Sequence, residues 1–248
     1  MTDDRKYDGR APGQPLTTDV AGEETGSGGT NVFLPNAQWP LFKKAVAVAV
    51  EVDVMNRGDG KTGAGVVISK SGLVLTAWHV VQGAKKIRIR RMKLDRKTSK
   101  LVVAKKRHVC ELVYADHRAD VAVIKMRRPP RNLRVSVLGD SAELKKDSPL
   151  YRVGRDDVPI ASGYLMSFDK CEGIDEIAVG MPAYPGSSGG PLFDIKGRVV
   201  AIALRANADE KLPPCSYAIP INVVVRRLLN RHAIRELLGA PPDPPPSR

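Results

Sequence analysis

Short stretches in which apolar and polar residues alternate recur along most of the chain from Phe42 onward. Alternation of this kind is typical of half-buried β-strands. In the first half it predicts strands at residues 45–54, 63–69, 73–77, 86–91, 101–114 and 121–126. Turn-forming residues such as Lys70-Ser71-Gly72 separate them. The first half of the chain therefore predicts one group of roughly six strands.

A second group of strands follows the segment Arg127-Arg128-Pro129-Pro130-Arg131. We interpret this segment as a linker, because paired prolines are not accommodated in a central strand. The second group begins near Val135 and includes residues 149–153, 161–167, 176–179, 190–193 and 199–205. Helical spacing of apolar residues then runs from Asn222 to Leu238, with Asn222 as the predicted N-cap and Gly239 at C′.

These patterns predict an all-β fold of two six-stranded antiparallel β-barrels followed by a C-terminal helix. The predicted organisation has five parts. They are a flexible leader (1–36), an N-terminal barrel (37–130), a C-terminal barrel (131–221), the helix (222–239) and a Pro-rich tail (240–248).

The composition is that of an ordinary globular protein, with 27% charged and 42% apolar residues among 248. Cys110, Cys171 and Cys215 match no metal-binding spacing, so we expect three reduced thiols, no metal and no cofactor. Residues 1–30 are polar and contain no apolar segment of the kind a secretory signal needs. The sequence therefore predicts a soluble, intracellular (cytoplasmic) protein without a signal peptide or transmembrane segment.

Much of the net charge of +13 is concentrated between residues 85 and 107, where twelve Lys or Arg residues accompany one acid, Asp95. This basic strip is a candidate surface for nucleic acid or another anionic partner. The alternative is a solvated strand face without a partner. The candidate anion-binding residues are Arg88, Arg90, Arg91, Lys93, Arg96 and Lys97.

Three segments carry residues suited to nucleophilic catalysis. His79 ends an apolar strand, Asp120 begins another, and Ser188 lies among glycines in Gly186-Ser187-Ser188-Gly189-Gly190. A serine hydroxyl needs a base to accept its proton, and a carboxylate can fix the tautomer of a histidine base. Asp116 is a rival to Asp120, and Ser187 is a weaker rival to Ser188.

The same segments resemble the trypsin-like serine peptidases, and within them the HtrA/DegP-type branch. Thr76-Ala77-Trp78-His79, Asp120-Val121-Ala122 and Gly186-Ser187-Ser188-Gly189-Gly190-Pro191 match the family motifs in the order His, Asp, Ser. The resemblance implies a chymotrypsin-like fold and peptide hydrolysis through an acyl-enzyme. It assigns His79 as general base, Asp120 as its orienting group and Ser188 as nucleophile, with an oxyanion hole formed by the backbone N–H groups of Gly186 and Ser188.

The sequence departs from the family pattern at several points. Val80 stands where trypsins carry a disulfide cysteine, and only 26 residues follow Asn222, so we expect no PDZ domain. By rough alignment the substrate pocket contains Pro182, Leu204, Arg205 and Ala206. Because Pro182 is not acidic, a preference for cleavage after Lys or Arg is not supported. Ala206 would narrow the pocket and favour a small or medium apolar residue at P1. P1 is the substrate residue preceding the scissile bond.

Two functions follow from these features. The first is a serine endopeptidase acting on protein or peptide substrates. The second is a binding module that retains the protease fold and recruits nucleic acid or an anionic partner through the basic strip. Because HtrA-type proteins are often trimers, the resemblance also leaves a homo-oligomer open.

Overall fold

The computed structural model describes residues 39–56, 59–95, 100–155, 158–207 and 215–229. Within this part of the chain the predicted fold class is confirmed: two closed six-stranded antiparallel barrels are followed by a helix. The predictions for the leader, for Arg96 and Lys97, for the later turns of the C-terminal helix and for the tail lie outside the described residues.

The first barrel has the strand order β1-β2-β3-β6-β5-β4. Its interior is filled mainly by Val, Leu, Ile and Ala. The strands are β1 at Ala49–Met55, β2 at Gly60–Val67, β3 at Leu73–Ala77, β4 at Lys86–Leu94, β5 at Leu101–Asp116 and β6 at Val121–Met126.

The second barrel has the order β10-β11-β12-β9-β8-β7. Some of its buried side chains, among them Leu150, Leu165 and Leu192, form a cluster of their own, whereas others, such as Phe193 and Ile202, belong to the same cluster as the core of the first barrel. The strands are β7 at Pro149–Arg155, β8 at Val158–Cys171, β9 at Ile174–Val179, β10 at Pro191–Phe193, β11 at Val199–Ala206 and β12 at Ser216–Pro220.

Three α-helices accompany the barrels in the described part of the chain: α1 at Trp39–Val48, α2 at Trp78–Val81 and α3 at Ile221–Leu229. The predicted strand over 45–54 is wrong in its first half, where α1 continues to Val48. The physical reason is the spacing of Phe42, Ala45 and Val46, which puts all three on one helix face, where they are buried. An alternating Ala-Val run fits both a buried helix and a strand.

The start of the C-terminal helix also differs from the prediction. The helix begins at Ile221, so Asn222 lies inside it. The Asn222 side chain accepts a hydrogen bond from the Ser141 N–H at 3.2 Å and donates one to Asp140 at 2.6 Å. Asn222 therefore fastens the helix to the 3-10 turn at Ser141–Glu143 instead of capping it.

Candidate active site

His79 and Asp120 form a hydrogen-bonded pair at one end of the first barrel. The His79 Nδ1 and Asp120 Oδ2 atoms are 2.6 Å apart, and the backbone N–H of His79 donates to Asp120 Oδ1 at 2.8 Å. The Trp78 N–H donates to the Asp120 carbonyl oxygen at 3.1 Å. Three contacts thus hold one aspartate against the first turn of α2, and the histidine ring is fixed through its Nδ1 side.

Strand pairing explains why these two residues meet. Strands β3 and β6 are antiparallel, with Ala77 opposite Val121. The chain leaving β3 therefore passes beside the residue that enters β6. Asp120 makes the entry with a positive φ of 49°, which Asp adopts more readily than most residues.

The rival carboxylate, Asp116, has a different role in the structure. Its Oδ1 accepts a hydrogen bond from the Ala119 N–H at 3.0 Å, and its Oδ2 pairs with Arg227 of α3 at 2.5 Å. Burial opposes ionisation of Asp116, but these two donors outweigh it and leave the pKa below its ordinary value. Asp116 closes a turn and anchors α3, whereas Asp120 contacts the histidine.

Ser188 lies in a tight turn that precedes β10. The turn is fastened to β11, because the Gly189 N–H donates to the Ala203 carbonyl at 2.7 Å and the Ala203 N–H donates to the Gly190 carbonyl at 2.9 Å. Gly186 and Gly189 have φ of 84° and 82°, in the region that favours glycine. Ser187, the other serine of the motif, donates its N–H to the Tyr184 carbonyl within the same turn.

The serine turn packs directly on the strands of the first barrel that lead to His79. The Ala64 N–H donates to the Ser188 carbonyl oxygen at 2.8 Å. A Cβ at Gly189 would lie 2.3 Å from Thr76 Oγ1 and 2.7 Å from the Ala77 nitrogen. Only a glycine permits this approach, so Ser188 is held close to the end of β3, two residues before the histidine.

The Ser188 side chain donates to the Leu204 carbonyl oxygen at 3.0 Å. This orientation directs the hydroxyl toward β11 rather than toward the imidazole. Because a hydroxyl has a single proton to donate, the hydrogen bond to Leu204 must break before Ser188 can donate to His79.

A pocket of about 260 Å³ opens beside Ser188. Of the predicted pocket residues, Leu204, Arg205 and Ala206 line it, and Pro182 contributes only indirectly, since its carbonyl oxygen accepts a hydrogen bond from Arg152 at 2.6 Å. The remaining lining residues are Arg152, Ala183, Tyr184, Pro185, Gly186, Ser187, Ser188, Ala203 and Ser216. Arg152 was not among the predicted site residues. Its signal in the sequence is a charged residue two positions after Leu150, within the otherwise apolar run 149–153.

The basic strip is partly neutralised where the structure describes it. Arg90 pairs with Glu51, which is only 3% exposed, and lies 3.5 Å from Asp53. Arg107 also contacts Asp53, at 3.4 Å. Arg88 donates to the sulfur of Met55. The ion pairs of Arg90 and Arg107 lie within the first barrel and offset part of the charge of the strip, whereas the Met55 sulfur leaves the charge of Arg88 uncompensated.

Among the described residues no group of three His, Cys, Asp or Glu side chains is placed to hold a metal ion. Cys110, Cys171 and Cys215 are all free thiols, and burial raises the pKa of Cys110 to about 12. None of the helices described here is long and apolar enough to cross a membrane.

The fold and the site define a chymotrypsin-like serine peptidase architecture, and comparison with known proteins agrees. The trypsin-like peptidase domain family matches residues 63–202, more than half of the chain. The chain belongs to this family of trypsin-like peptidases.

Its relatives include a probable periplasmic serine endoprotease DegP-like of Hahella chejuensis, 31% identical over 172 residues, which cover 66% of this chain and 34% of the relative. A protein of the same name from Halomonas elongata is 32% identical over 171 residues, covering 66% of this chain and 33% of the relative. The chain thus spans about a third of the length of the curated relatives it matches.

Solved structures with a similar fold include the HtrA-type protease AlgW with tripeptide, with a TM-score of 0.63 and 20% identity over 78% of this chain and 62% of that one. Deg5 gives a TM-score of 0.62 and 23% identity over 77% of this chain and 91% of that chain. At these identities the likeness concerns the fold.

The prediction of a cytoplasmic protein is wrong. The finding that contradicts it is that the relatives are named probable periplasmic endoproteases. The prediction rested on the polar composition of residues 1–30. That composition carries no information about the compartment in which the folded barrels work.

Proposed function

We propose that the protein is a serine endopeptidase of the HtrA/DegP type, with Ser188 as nucleophile, His79 as general base and Asp120 as the group that orients the base. The observation that carries the proposal is the 2.6 Å contact between His79 Nδ1 and Asp120 Oδ2. An Nδ1–H donated to a carboxylate leaves Nε2 unprotonated and able to accept the serine proton.

The reaction follows from these roles. After rotation away from the Leu204 carbonyl, the Ser188 hydroxyl gives its proton to His79 while its oxygen attacks the peptide carbonyl. The resulting imidazolium is stabilised by Asp120 and then protonates the leaving amine, which forms an acyl-enzyme. Water, activated by the same imidazole, hydrolyses the acyl-enzyme and regenerates Ser188.

The developing oxyanion needs donors that are not already engaged. In the described part of the chain, neither the Gly186 N–H nor the Ser188 N–H donates to another backbone group, although the intervening Ser187 N–H does. The positive φ of Gly186 makes this unusual turn possible. Both free N–H groups belong to the turn that carries the nucleophile, which supports them as the oxyanion hole.

A fluorophosphonate probe tests the proposal because it modifies only an activated serine. We expect one labelled residue, Ser188, and loss of both labelling and peptide hydrolysis in Ser188→Ala. Ser187→Ala is the matched control, since it removes the neighbouring hydroxyl and should remain labelled. Labelling at Ser187, or unchanged hydrolysis in Ser188→Ala, would contradict the assignment.

The alternative of a binding module receives no comparable support, because Arg90 and Arg107 of the basic strip are paired with carboxylates of the first barrel. A homo-oligomer remains a prediction from the family resemblance alone.

A further inference from the structure

A buried arginine lies in the wall of the pocket beside Ser188. Arg152 is 2% exposed and lines the same pocket as Gly186 and Ser188. It belongs to β7, where Leu150, two residues earlier and therefore on the same strand face, is fully buried in the second barrel. Strand alternation thus directs a cationic side chain into the barrel interior beneath the pocket.

The Arg152 guanidinium is incompletely satisfied. Its Nη2 donates to the Pro182 carbonyl oxygen at 2.6 Å, and its Cζ lies 5.8 Å from the centre of the Tyr184 ring. Its Nε and Nη1 are buried and have no hydrogen-bond partner in the described part of the chain. Burial lowers the pKa of Arg152 to about 10, which still leaves it charged at neutral pH.

The second arginine of the pocket is neutralised. Arg205 donates to both carboxylate oxygens of the buried Glu176, at 2.8 and 2.6 Å, and stacks on the Tyr217 ring. No such carboxylate accompanies Arg152 among the described residues. Of the two cationic side chains lining the pocket, Arg152 is the one whose charge lacks a counterion.

Burying an uncompensated charge is expensive, and such a group gains most from a ligand of opposite charge. We infer that the pocket receives an acidic side chain, so that the endopeptidase cleaves after Glu or Asp; this inference rests on the proposed function. A carboxylate entering the pocket supplies the acceptors that Nε and Nη1 lack, in charge-assisted hydrogen bonds.

The same contact provides selectivity against other residues. An apolar P1 side chain would exclude water from the guanidinium without pairing it, and a basic one would add repulsion. The expectation of a small or medium apolar P1 residue was based on Ala206 and left Arg152 out. Ala206 narrows the pocket, but the charge beneath it determines which side chain is accepted.

The test is a series of peptides that differ only at P1, with Glu, Asp, Gln, Asn, Leu or Lys. We expect kcat/KM for Glu to exceed that for the isosteric Gln by roughly 10- to 100-fold, the range for a hydrogen bond to a charged group. Arg152→Met should abolish this ratio and favour Leu. Arg152→Lys retains the charge and should retain part of the preference for acids.

Arg198→Met is the matched control. It removes a second-barrel arginine that pairs with Asp194 and Glu143 and does not line the pocket, so the Glu-to-Gln ratio should stay within a few-fold of that of the unaltered protein. If this variant fails to fold, the P1 series on the unaltered protein still decides the question.

Fluorophosphonate labelling of Ser188 separates the two levels of the hypothesis. Labelling with preferred cleavage after Leu, or an unchanged preference for acids in labelled Arg152→Met, would overturn the acidic specificity and leave the peptidase intact. Absence of both labelling and cleavage in the unaltered protein would overturn the peptidase and the specificity together.

Discussion

Asp120→Asn isolates the electrostatic part of the proposed mechanism. The asparagine oxygen can still accept the His79 N–H that Asp120 Oδ1 accepts at 2.8 Å, and the backbone contact to Trp78 is unaffected. Asn also tolerates the φ of 49° at this position. The substitution changes only the atom that faces His79 Nδ1. The charged carboxylate oxygen is replaced by the NH₂ group of the asparagine, which donates, or by its uncharged oxygen.

The expected loss is large in rate and small in stability. An amide that donates to Nδ1 forces the proton onto Nε2, so the imidazole can no longer accept the serine proton. Removal of this carboxylate in a Ser-His-Asp triad lowers kcat by about 10⁴-fold, equivalent to about 5 kcal/mol of transition-state stabilisation. Because the two remaining contacts persist, we expect the free energy of unfolding to fall by only about 1 kcal/mol.

The assay is steady-state hydrolysis of a peptide, with thermal unfolding of each variant measured in parallel. Asp116→Asn is the matched control, since this nearby carboxylate contacts Arg227 rather than the histidine. It should lose less than about tenfold in kcat. The reasoning would be refuted if Asp120→Asn kept a tenth or more of the activity, or if both variants lost the same amount.

Asp116→Asn should destabilise the fold by about 1–2 kcal/mol at pH 7, the value of a charged hydrogen bond. The pKa of Asp116 is lowered in the folded protein, so its carboxylate stabilises the fold fully above the ordinary Asp pKa of about 3.9. This stabilisation disappears as the pH falls through the pKa of the folded state. Denaturant titrations of Asp116→Asn and the unaltered protein should therefore give the same free energy of unfolding in acid. Gly189→Ala places a Cβ 2.3 Å from Thr76 Oγ1, at a residue whose φ is 82°. We expect this variant to lose fluorophosphonate labelling and to have a Tm well below that of the unaltered protein. Normal labelling would contradict this and show that the turn relaxes. In native protein at pH 8, a disulfide reagent should modify the exposed Cys171 quickly. Cys110 is buried and its pKa is raised to about 12, so it should react only on unfolding. Fast modification that persists in Cys171→Ser would contradict this prediction.

Periodicity predicted the barrels because a barrel strand is a local pattern. Residues 73–77 form a short, mostly apolar run that is buried throughout and follows the turn at Gly72, so the predicted strand coincides with β3. The helix α1 was not predicted, because Ala and Val at alternate positions are compatible with both a helix and a strand. Its helical form is decided by the burial of Phe42 and Val46 against Met92 and Leu101 from other strands.

The site residues likewise differ in whether a local sequence motif identifies them. His79 and Ser188 are recognisable because each lies in a local motif that needs particular neighbours. Arg152 has no motif, and its importance comes from a carbonyl 30 positions away at Pro182. In the composition, Arg152 is one of 40 Lys and Arg residues, whereas its burial in the wall of the pocket makes it a specificity determinant.

The division of the site between two barrels makes their contact part of the proposed catalytic machinery. His79 and Asp120 are aligned by the β3–β6 pairing within the first barrel, and Ser188 is aligned by β11 within the second. The hydrogen bond from the Ala64 N–H to the Ser188 carbonyl joins these two preformed halves. A displacement of about 1 Å at this contact would misalign base and nucleophile while leaving each barrel folded. Activity is therefore expected to be lost before global unfolding as denaturant is raised, because the contact between barrels offers fewer hydrogen bonds than either closed sheet.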